Sequence, residues 1–76
     1  MKKEEYIMLN LRKFNGILLS DYKKKFNKDF YLEFKDTLDS FIKDNLLKKT
    51  NFRIYPTKYG MVILDYMLIK LFKEIQ

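Results

Sequence analysis

Three features of this 76-residue chain predict an α+β fold. Phe30, Tyr31, Phe34, Leu38, Phe41 and Ile42 form an apolar stripe at helical spacing. Phe52 to Tyr55 alternates at period two, just after a polar turn at Thr50 and Asn51. Pro56 and Thr57 then open an apolar helix that runs to about Lys73. Helix, hairpin, helix in that order is the pattern of a winged helix. It comprises three helices, a small β-hairpin wing with a short third strand, and a long C-terminal helix.

Each element has a local reason. Residues 4–14 read as a helix with Ile7, Met8, Leu11 and Phe14 on its buried face. Asn15 and Gly16 stop it, since Gly takes the left-handed conformation without a Cβ penalty. Ile17, Leu18 and Leu19 suit a strand of three residues. Ser20 is a good N-cap for a second helix, with Asp21 favourable in its first turn. Tyr22 and Phe26 fall on the buried side of that helix and Lys23, Lys24 and Lys25 on the wet side; Asn27 ends it.

Asp29 caps the third helix, which carries the apolar stripe to about Asp44, and Asn45 closes it. Leu46 and Leu47 enter the first wing strand. In the second strand Phe52 and Ile54 face the core, and Pro56 ends it because proline cannot donate to a ladder. Thr57 caps the last helix. Met61, Leu64, Leu68, Leu71 and Phe72 give that helix one core face. Val62, Ile63, Tyr66, Met67 and Ile69 give it a second apolar face, more than a free monomer needs. Such a face predicts either a covering domain or a weak homodimer in isolation.

Composition narrows the function. One domain is expected over residues 1–76. The chain has no Cys and no His, so disulfide scaffolds, thiolate chemistry and the usual zinc sites are excluded. No apolar run is long enough to span a membrane and no signal peptide is visible, which suits a cytoplasmic location. Net charge is +6, carried by fourteen Lys and two Arg. That excess speaks to solubility before it speaks to a partner.

No residue pattern carries catalysis. Asp36 and Asp39, with Glu33 nearby, sit on the wet side of the third helix, where they lack a cleft to shift their pKa values. Ser20 and Ser40 have no His base, and the two glycines do not make a phosphate loop. In helix-turn-helix proteins the third helix of such an arrangement enters the major groove. Here Lys28 to Asn45 holds three Lys against five acids, a net of −2, and no Arg. An acidic helix repels phosphates, which argues against nucleic acid as a partner.

The ordered motifs resemble a known family. Glu5-Tyr6-Ile7-Met8-Leu9-Asn10-Leu11-Arg12, then Gly16-Ile17, is similar to the start of the C-terminal domain of oxygen-independent coproporphyrinogen III oxidases and of the related haem-chaperone radical SAM proteins. Leu46-Leu47, the hairpin, and Thr57-Lys58-Tyr59-Gly60 match its later part, so the resemblance spans about residues 4–72. Departures are Asn10 and Asn27 where Gly is usual, Pro56 before the Thr, and Asp65 in place of a frequent Asn. Gly16, Thr57 and Gly60 are the structural motif residues.

The resemblance implies a non-catalytic C-terminal piece of a larger enzyme or chaperone. Its partner would be a radical SAM barrel that holds a [4Fe-4S] cluster and S-adenosylmethionine, which this chain would help to close over a tetrapyrrole. Arg12 is the matched residue able to face a propionate, or else it ties the first helix to the last. The other expectation left by the residues is a free-standing winged-helix regulator that binds DNA or a protein.

Overall fold

Helices and short strands alternate through residues 1–75, the part described in this computed structural model. They are α1 (Lys3–Leu11), β1 (Ile17–Leu18), α2 (Leu19–Phe26), α3 (Phe30–Glu33), α4 (Lys35–Lys43), β2 (Leu47–Lys49), β3 (Arg53–Pro56), α5 (Lys58–Val62) and α6 (Leu64–Lys73). The three strands form one antiparallel sheet in the order β1-β3-β2. Ile17 pairs with Ile54, and Leu47 pairs with Pro56. The fold is α+β with six helical segments among the described residues, not three continuous helices and a long terminal one.

Both long helices are broken, at Phe34 (φ −120°, ψ 31°) and at Ile63 (φ −113°, ψ 30°). Each break falls where the docking partner changes. α3 packs on α2, whereas α4 packs on β2 and α6. α5 packs on β3, whereas α6 packs on α1 and α4. Neither break has a Gly or Pro to mark it, so local sequence carries no sign of it.

The second break changes which face is buried. Met67, expected on the second apolar face, is fully buried, while Met61, expected in the core, is exposed. Leu64, Leu68 and Leu71 are buried as expected and Phe72 is partly so. Val62, Ile63, Tyr66 and Ile69 remain exposed.

Four turn residues behave as their chemistry dictates. Gly16, Asn27 and Asn45 have φ of 65°, 58° and 62°, the left-handed region that Gly and Asn tolerate. The Asp29 carboxylate accepts from Leu32 N–H at 2.9 Å and caps α3. Thr57 does more than cap α5. Its Oγ1 accepts from Gly60 N–H at 3.1 Å and donates to the Asn45 carbonyl at 2.7 Å, joining α5 to the entry of the hairpin. A Cβ on Gly60 would overlap the Leu46 carbonyl, so this junction admits only Gly.

Ser20 is not a cap. The Leu19 N–H is bonded to the Phe52 carbonyl at 2.8 Å, and α2 starts two residues earlier than expected, after Leu18. β1 is accordingly two residues, and Leu19 belongs to the helix.

Candidate functional site

Two aromatic residues expected inside are outside. α1 ends at Leu11, so Phe14 loses the helical phase that would bury it and is 89% exposed. β3 begins at Arg53, so Phe52 belongs to the turn, escapes the strand alternation and is 70% exposed. Both line one surface groove of about 460 Å³ with Asn15, Thr50, Arg53 and Tyr55.

The walls of this groove are fixed by backbone geometry. Gly16 turns the chain against β3 so closely that a Cβ there would overlap Ile54 O and Tyr55 Cα. This brings the Phe14 and Asn15 turn beside the hairpin. Thr50 Oγ1 accepts from the N–H groups of Phe52 and Arg53, each at 3.1 Å, and Thr50 N–H donates to Arg53 O at 2.9 Å. The tight loop thereby fixes the chain at Phe52. On the outer face of the sheet, Leu18 lies opposite Arg53 and Lys48 opposite Tyr55. Among the described residues no carboxylate pairs with Arg53. The groove therefore offers apolar rings, a free guanidinium and polar groups at its rim.

Arg12 lies elsewhere, on the C-terminal turn of α1. Its guanidinium meets Asp65 of α6 at 3.6 Å, with both side chains largely exposed. The contact joins the first helix to the last, and an ion pair this exposed contributes little. Gly16, Thr57 and Gly60 all sit at junctions of backbone with backbone.

The carboxylates are held in hydrogen bonds that pattern reading missed. Tyr6 Oη donates to Asp21 at 2.6 Å, and Tyr22 Oη donates to Glu33 at 2.7 Å. Lys3 Nζ also meets Glu33, at 2.6 Å. Burial, then the carboxylate bond, pushes both phenols well above the ordinary tyrosine range, so they remain neutral donors. Asp39 is not simply solvated either. It accepts from Tyr31 Oη at 2.7 Å and from Lys35 Nζ at 3.0 Å, and these bonds hold its carboxyl below the usual range. Asp36 is exposed. Among the described residues no three acidic side chains gather as metal ligands would, and no helix is long and apolar enough to cross a membrane.

No curated protein and no solved structure matches the chain. A family model does: the HemN C-terminal domain matches residues 2–63. That span contains the α1 motif, Gly16, the hairpin and Gly60, the features on which the resemblance to coproporphyrinogen oxidases rests. The chain therefore belongs to the HemN C-terminal domain family.

Proposed function

We propose that this chain is the non-catalytic C-terminal domain of a HemN-like radical SAM protein of porphyrin biosynthesis, an oxidase or a haem chaperone. Its arrangement is read as a winged helix, with β2 and β3 as the wing. It packs beside the mouth of the catalytic barrel and helps to enclose a tetrapyrrole. The observation that carries this reading is the family match over residues 2–63.

The groove supports it chemically. A tetrapyrrole is a wide apolar ring bearing carboxylates. Phe14, Phe52 and Tyr55 offer apolar surface, and Arg53 offers a cation suited to bidentate carboxylate contact. Arg12 is a second cation for a propionate, because its contact with Asp65 is long and exposed. The chain has no Cys and so cannot itself ligate a [4Fe-4S] cluster. The cluster and S-adenosylmethionine belong to the barrel of the parent in this reading.

Titration calorimetry of the chain against a separately expressed radical SAM barrel from the same source tests the proposal. We expect saturable one-to-one association, weakened at least about tenfold by Phe52→Asp, and no decarboxylation of coproporphyrinogen III by the chain alone. Absence of association overturns the reading. Tight, sequence-selective affinity for duplex DNA would favour a regulator instead.

A further inference from the structure

The outward ridge of α5 and α6 has a pattern of its own. Tyr59, Val62, Tyr66, Ile69 and Lys73 follow one another at alternating steps of three and four residues. Within α6, Tyr66, Ile69 and Lys73 keep the a/d spacing of a helix seam that faces another helix, and Tyr59 and Val62 of α5 lie before the break at Ile63. Gly60, Leu64, Met67, Leu68 and Leu71 are buried on the opposite side, so the core does not use the seam. Val62 is 84% exposed, Ile69 57% and Tyr66 50%. The groove of Phe14 and Phe52 has no residue in common with this ridge.

Charge beside the seam is self-complementary. Asp65 flanks it at a g position and Lys70 at an e position, five residues further on. When two such helices run parallel, the g residue of one meets the following e residue of the other. A two-fold pair would therefore make two Asp65–Lys70 contacts between copies. An antiparallel pair centred on Tyr66 would instead bring the two Asp65 side chains together at the axis, which like charge opposes. Asp65 is available, because its contact with Arg12 is exposed and 3.6 Å long.

We propose that this ridge is a homodimer interface that takes a second copy of the chain, with the two α6 helices parallel about a two-fold axis. The straight part of the seam is α6, joined by Val62 and Tyr59 from α5. Tyr66 is braced from behind by Phe41, with ring centroids 6.5 Å apart. The five exposed apolar side chains Tyr59, Val62, Ile63, Tyr66 and Ile69 offer on the order of 500 Å² per copy. That is below the roughly 800 Å² per partner of a standard stable interface, so the dimer is weak.

Sedimentation equilibrium of the chain from about 10 μM to about 1 mM is the test. The average mass is expected to rise from 9.4 kDa toward twice that value. Ile69→Glu, at an exposed position, should keep the chain monomeric with an unchanged melting temperature. Asp65→Lys should weaken the dimer, and Asp65→Lys with Lys70→Asp should restore it. A monomer at every concentration overturns the proposal, as does a dimer indifferent to Ile69→Glu. Failure of the charge swap to restore association overturns the parallel arrangement. Because the ridge and the groove share no residue, these outcomes are separable from loss of barrel association by Phe52→Asp.

Discussion

Tyr6, Tyr22, Phe26, Phe30 and Phe34 form a run of touching rings, with neighbouring centroids 4.8 to 5.7 Å apart. Phe14 and Phe52, of the same residue type, stand in solvent. Hydrophobicity does not separate the two groups; the backbone does. Tyr6, Tyr22, Phe26 and Phe30 lie within helices whose period aims them inward, and Phe34, at the break, is flanked by a helix on each side. Phe14 lies three residues past the end of α1, and Phe52 one residue before β3. A side chain beyond the end of an element inherits no face from it. The inner group also has polar anchors, since Tyr6 and Tyr22 donate to Asp21 and Glu33. Buried phenols need such partners.

The strongest test of this contrast is truncation. Phe30→Ala should cost about 3–5 kcal/mol, whereas Phe52→Ala and Phe14→Ala should each change stability by less than about 0.5 kcal/mol. Urea denaturation measures both. A cost above about 2 kcal/mol for either groove residue would mean that it supports the fold.

Gly60→Val sharpens the comparison at the level of backbone. It forces a side chain into the Leu46 carbonyl and should cost more than about 3 kcal/mol. Lys24→Ala, on the wet side of α2, should cost less than about 0.5 kcal/mol. Similar melting temperatures for the two variants would refute the junction between α5 and the hairpin.

Removing a polar anchor is a smaller change. Tyr22→Phe keeps the ring and deletes the bond to Glu33, so about 1–3 kcal/mol should be lost. The anchors also set a pH dependence. The folded pKa values of Tyr6 and Tyr22 lie above the unfolded value of 10.0. Protons are therefore retained by the folded chain and lost by the unfolded chain as pH rises past 10. The stability these phenols contribute is present in full below pH 10 and declines above it. Denaturant midpoints should fall on the alkaline side, and the fall should be shallower in Tyr22→Phe.

At the acid end the effect is smallest. Asp39 is held below its ordinary value of 3.8 by Tyr31 and Lys35. Its contribution is present above that pH and is lost as pH falls through the lower folded value. Asp39→Asn should flatten a slight decline in stability below about pH 4. An unchanged acid limb would mean that these surface bonds contribute nothing measurable.

Much of the fold was legible because it rests on local chemistry. Asp29 and Thr57 announce helix starts, Gly16, Asn27 and Asn45 announce left-handed stops, and the burial of Ile54 follows from alternation. The family, too, could be recognised from the order of short motifs, three of which, Gly16, Thr57 and Gly60, mark backbone junctions. The two helix breaks could not be read, since Phe34 and Ile63 have ordinary helical neighbours and yield only when the flanking segments dock on different partners. Ser20 failed as a cap for the same kind of reason: a bond from Leu19 to Phe52, distant in sequence, set the start of α2.

The candidate site shows the same division. The sequence alone determined which residue types were available: rings, two arginines, and no thiol or imidazole. It also showed that the last helix carries more apolar residues than one core face needs, but the structure moved Met67 from that second face into the core. Only the tertiary structure decided that Phe14 and Phe52 would share a groove beside Arg53. That groove depends on a Gly16 turn pressed against β3, a contact between segments nearly forty residues apart. Local pattern fixes what a residue does within its own helix or strand; which elements meet depends on a close approach that no window of sequence contains.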